Sequence, residues 1–81
     1  MKTSRFLEKY NPEFKCYAVY HDAATGLIER GLILDTVQYS LSNKPYININ
    51  NFHTEVYISQ IKAVIVTSVR WTPTTKQSVS L

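Results

Sequence analysis

The segment TEVYISQIKAVIV, residues 54–66, constrains the fold more than any other part of this chain. Thr54, Val56 and Ile58 share one face of a strand, but the next apolar residues, Ile61 and Val64, are spaced by three. Three is the repeat of a 3₁₀ turn. One turn across Ser59 and Gln60 keeps Ile58, Ile61 and Val64 on a common side while the chain enters a last strand, Ala63 to Trp71. Helix is the competing reading, and it fails on residue type. Ile61, Val64, Ile65, Val66, Thr67 and Val69 are all β-branched, stiff at χ1 and suited to a pleated surface.

A period of two recurs upstream. Phe14, Cys16, Ala18 and Tyr20 alternate with Lys15, Tyr17, Val19 and His21, as in a half-buried strand. HDAATG is the following turn, with Asp22 able to bond its own backbone and Gly26 free to take positive φ. The next strand, Leu27 to about Asp35, breaks alternation at Glu29-Arg30, and a bulge or bend at Gly31 would realign its faces. Val37, Tyr39 and Leu41 alternate with Gln38, Ser40 and Ser42 before the turn SNKP. Ile47 and Ile49 then oppose Tyr46 and Asn48, and NNFHT closes a further hairpin. At the N-terminus, Ser4 followed by RFLEKY predicts a short helix from Ser4 to Tyr10, capped by the Ser4 hydroxyl and ended by Asn11-Pro12. TPTTKQSVSL has no core-forming pattern and reads as a flexible tail, its apolar SVSL end matching too short a pattern to assign to a peptide-binding groove. The expected organisation is a helix and lead-in over residues 1–13, a β domain over 14–71 and a tail over 72–81.

Eighty-one residues allow one hydrophobic core. Hydrophobic residues make up 44% of the chain, charged residues 19%, and only two are glycine, which is the composition of a folded domain. So small a domain buries about 60% of the surface its unfolded chain exposes, so a partner or a homo-oligomer would add usefully to its stability. The single cysteine, Cys16, excludes an internal disulfide and suits a reducing compartment. Glu8, Lys9 and Asn11 interrupt the N-terminus where a signal peptide would be apolar, and the longest hydrophobic run, Cys16 to Tyr20, is too short to span a bilayer. The expectation is a cytoplasmic protein with no membrane partner.

The short strands, the bent strand in GLIERGLILD and the strand–turn–strand in EVYISQIKAVIV together resemble the small five-stranded barrels of the SH3-like or Sm-like kind. The resemblance covers Phe14 to Trp71 and implies a mainly β fold. An OB-type barrel, which usually asks for a longer chain, is the nearest competitor. The activity does not transfer. Sm-like RNA binders carry polar and basic residues in the turn between the last two strands, whereas Ile58-Ser59-Gln60 has no Arg-Gly or Lys-His pair.

No catalytic, cofactor or metal set is legible. Cys16 and His21 lie five strand residues apart, roughly 16 Å, and point to opposite faces. With one cysteine and no paired spacing there is no zinc pattern, and His21 and His53 read as solvated turn residues. The tyrosines are more informative. Tyr17, Tyr46 and Tyr57 fall on the polar sides of their strands, in company with Lys15, Asn48 and Glu55; Lys44 is a further candidate phosphate contact, as are Lys62 and Arg70, which share a face of the last strand. Outward rings beside cations can stack bases and meet phosphates, although tyrosines can also simply cover a small sheet. Net charge of +3 and a pI near 9.1 permit such a ligand, while Glu55 counts against it. The sequence thus predicts a non-enzymatic binding module for single-stranded nucleic acid or a nucleic-acid-handling complex. A protein-interaction module, or a small regulator of a larger enzyme, is the second reading.

Overall fold

A computed structural model describes residues 1–50 and 54–71. The helix α1 (Thr3–Lys9) precedes β1 (Phe14–His21), β2 (Ile28–Leu32), β3 (Gln38–Tyr39), β4 (Pro45–Asn48) and β5 (Glu55–Tyr57). A 3₁₀ turn, Ile58–Gln60, then leads into β6 (Ile61–Arg70). The fold is mainly β, in two three-stranded antiparallel sheets ordered β2-β1-β6 and β3-β4-β5. They are stitched together where β2 ends. Ile33 bridges to Ile49, the Leu34 N–H donates to the Asn48 carbonyl at 3.0 Å, and the Asn50 N–H donates to the Leu32 carbonyl at 2.8 Å.

Where the sequence predicts five barrel strands, the described residues form six strands in two sheets that do not close. The second strand is interrupted over residues 34–37, which separates β2 from β3, and β5 and β6 each lie at a sheet edge. The third apolar run is also shorter than its alternation suggests. Only Gln38–Tyr39 is strand, because Ser40 turns the chain by accepting the Asn43 N–H on its carbonyl at 2.8 Å, and Leu41 is left fully exposed. The helix is set one residue earlier than expected, with Lys2 at its N-cap and no side-chain cap, so the Ser4 hydroxyl does not serve there.

The core consists of Phe6, Cys16, Ala18, Tyr20, Ile33, Ile47, Ile49, Val56, Ile58 and Ile61. Alternation in β1 accounts for three of these and alternation across Ile47 and Ile49 for two more. Phe6 comes from α1, is fully buried, and stacks on Tyr10 with ring centroids 5.5 Å apart. The 3₁₀ turn is as the spacing predicts: Ile58 and Ile61 are buried, and Val64 packs against them. Gln60 locks it in place. Its Oε1 accepts the Tyr57 N–H at 3.0 Å while its Nε2 donates to the His21 carbonyl at 3.2 Å, tying β5 to the end of β1. The HDAATG turn also forms as expected, with Asp22 Oδ1 accepting the Ala24 N–H at 2.8 Å and Gly26 at φ 75°.

The bulge expected at Gly31 is absent. Register runs unbroken from Tyr17–Leu32 to His21–Ile28, with Gly31 opposite Ala18. The irregularities lie in β6 instead. Lys62 is an extra residue between the partners of Val19 and Tyr20, and Thr67 to Val69 bulge opposite Lys15 alone. Thr67 satisfies the groups this bulge frees, its hydroxyl donating to the Lys15 carbonyl at 2.8 Å and accepting the Val69 N–H at 3.2 Å. The NNFHT closure falls largely on residues 51–53, and the tail on 72–81; both lie outside the described residues.

Candidate functional site

The seven residues expected to form one contact surface are distributed over two sheets. On the second sheet, Tyr46 and Tyr57 are directly opposed across β4 and β5, and Gln38 faces Tyr46 from β3. Lys44 brings its Nζ to 5.8 Å from the centre of the Tyr57 ring. These residues border two shallow hollows, one of about 310 Å³ bounded by Lys44, Pro45, Tyr57 and Ser59, the other reaching from Tyr46 to Tyr39 and Glu55. Glu55 puts a carboxylate in the second hollow, which opposes a phosphate there.

Tyr17 belongs to the first sheet, between Leu32 on β2 and Ile65 on β6. Its ring is covered by Arg30, whose guanidinium carbon is 5.3 Å from the ring centre. Lys15 lies 5.8 Å over the Trp71 ring, and Arg70 lies 5.3 Å over Phe14 while pairing with Glu13 at 3.1 Å. Cation–π and ion-pair contacts on an exposed surface are individually weak, yet each directs a cation at this protein's own groups. Lys62 is exposed at the first register shift of β6. The second shift lies between Lys62 and Arg70, so counting parity along the strand does not assign them to one face.

Arg30 is the cation that sequence reasoning passed over, because its contact with Tyr17 is set by β1–β2 register. The larger omission is β6 itself. Ile65, Val66 and Val69 expose 40%, 43% and 52% of their surface, and Ile28 on the far strand of the same sheet exposes 55%. The signal was present: residues 61–69 are apolar at both parities, which a strand covered on one face does not need. Among the described residues β1 is the one strand that pairs with β6, so the other edge of β6 faces no strand; the Met1 amino group donates to the Ile61 carbonyl at the start of β6, at 3.2 Å.

The chemistry of titratable groups is sparse. Cys16 is buried with its Sγ donating to the Asn11 carbonyl at 3.2 Å, while His21 is exposed at the end of the same continuous strand. Burial pushes the Tyr10 and Tyr20 hydroxyls above their ordinary value, so neither becomes a phenolate base at neutral pH. Among the described residues no group of three His, Cys, Asp or Glu side chains could hold a metal, and no helix is long and apolar enough to cross a membrane. No protein-family model, curated protein or solved structure matches the chain.

Proposed function

We infer that this chain is a non-enzymatic β module that acts by protein contact, with β6 as its contact strand. The observation that carries the reading is the exposure of Ile65, Val66 and Val69 along a strand at a sheet edge. Exposed apolar side chains on both faces of one strand are a common feature of interaction sites, and an edge that no described strand pairs adds backbone donors and acceptors to them. The resemblance to SH3-like or Sm-like barrels extends to the order of elements: β2 ends in an Ile33–Ile49 bridge to the second sheet, and a 3₁₀ turn leads into a last strand beside the first, although the two sheets share no strand and do not close. The non-enzymatic reading rests on Cys16 and His21 lying on opposite faces of β1.

A second reading, binding of single-stranded nucleic acid, is favoured by Lys44, Tyr46 and Tyr57 lying together on one sheet. It ranks lower because Arg70 is paired with Glu13 and Lys15 is directed at Trp71. Recovery of bound partners from the native cell, with and without nuclease, separates the two. A stoichiometric protein retained after nuclease supports protein contact. Recovery that nuclease abolishes overturns it in favour of nucleic acid, for which Tyr57→Ala should then weaken single-strand binding by about 1–3 kcal/mol.

A further inference from the structure

We propose that the partner of the β6 edge is a second copy of this chain, paired antiparallel about a twofold axis at Ile65. The inference rests on the protein-contact reading and specifies what that surface binds.

Backbone direction comes first. The Cys16 carbonyl accepts the Ile33 N–H at 2.9 Å, so Cys16 turns its backbone toward β2. Along an antiparallel strand that direction alternates, so Tyr17 and Val19 turn toward β6 and pair with Ile65 and Ala63. Val64 and Val66 therefore aim their N–H and C=O groups away from β1, at the open edge. With Ile65 on the axis, Val64 of each copy faces Val66 of the other, and all of those outward groups become hydrogen-bonded pairs.

Side chains select the same register. The two Ile65 residues meet as a non-hydrogen-bonded pair, with Cα atoms about 4.5 Å apart, and extend the row Leu32–Tyr17–Ile65 across the axis into its own copy. Between the two register shifts of β6 this alignment sets Val64 against Val66 on both sides of the axis, whereas moving the axis to Val66 sets Ile65 against Thr67 and gives up that apolar match. From Ala63 to Thr67 the strand carries no charge and no proline, the usual devices that keep an edge from pairing. An isologous pair uses the same edge twice and so closes, leaving no long edge to propagate.

The test is sedimentation velocity on the purified full chain from micromolar to submillimolar concentration, with hydrogen exchange on the same samples. A dimer is expected, with the Val64 and Val66 amides gaining protection as it forms. Ile65→Lys and Ile65→Glu should each weaken it about a hundredfold by setting like charges on the axis, while their far-ultraviolet circular dichroism stays that of the wild type. Mixing the two variants should restore a dimer, which a misfolded variant could not do. A wild-type chain that stays monomeric overturns the proposal, as does a dimer indifferent to both substitutions. Protection of Val64 and Val66 in the monomer also overturns it, because another segment of the chain then covers the edge. None of these negative results bears on nuclease-resistant capture of a different protein, so the broader reading fails or stands separately.

Discussion

Gly31 lies directly against Ile49: a Cβ on Gly31 would stand 2.7 Å from the Ile49 Cδ1 and 3.1 Å from its Cβ. The contact is where the two sheets meet, since Ile49 bridges to Ile33 just beyond β2. The first distance is well inside van der Waals contact, and neither atom can move without disturbing a fully buried side chain. Gly31 is required by close approach, in an ordinary extended register.

Gly31→Ala should therefore cost about 1–3 kcal/mol in chemical denaturation, and Gly31→Val more. Ile49→Val removes the Cδ1 that makes the shortest contact. Combining it with Gly31→Ala should recover part of the loss in a double-mutant cycle, whereas additive costs would show that the two residues do not press on each other.

Phe6 is the only buried residue of α1, and it plugs the core. Phe6→Ala should destabilise the domain by about 3–5 kcal/mol, while Leu7→Ala, at a side chain 52% exposed, should stay within about 0.5 kcal/mol. Urea midpoints of the two variants provide the comparison. Equal midpoints would mean that α1 does not dock.

Thr67→Val preserves shape but removes the hydroxyl that joins the Lys15 carbonyl to the Val69 N–H. A loss of about 1–2 kcal/mol is expected. Faster exchange at the Val69 amide should accompany it, and an unchanged rate there would remove the hydroxyl from the bulge.

Burial, with the Asp22 and Glu29 carboxylates adding to it, raises the Tyr20 hydroxyl above its ordinary value of 10.0; burial does the same for Tyr10, assisted by Cys16 and Asp35. The folded chain then holds these protons more tightly than the unfolded chain. Their contribution is present in full below about pH 10 and is lost as pH rises through the folded-state values. Stability measured from about pH 9 to about pH 11 should fall, and Tyr20→Phe should make the fall shallower. An identical slope in the variant would remove Tyr20 from the effect.

The sequence by itself determined the elements whose signal is local. Alternation in β1 identifies Cys16, Ala18 and Tyr20 as its inner face, and the three-residue spacing of Ile58, Ile61 and Val64 identifies the 3₁₀ turn, because each depends on backbone geometry over a few neighbouring residues. Glu29-Arg30-Gly31 was legible as an anomaly, but its cause was not, since Ile49 approaches from eighteen residues away in sequence. Only the tertiary structure decided that Tyr17 lies on a different sheet from Tyr46 and Tyr57, and that Phe6 joins the core. The same holds for β6. Its β-branched residues specify a strand, but whether a face of that strand is covered depends on how far the second sheet and α1 extend over it. They cover Ile61 and part of Val64 and leave Ile65, Val66 and Val69 exposed. Periodicity reports which side chains share a face; burial is a property of what is packed against that face, and here the packing partners come from distant parts of the chain.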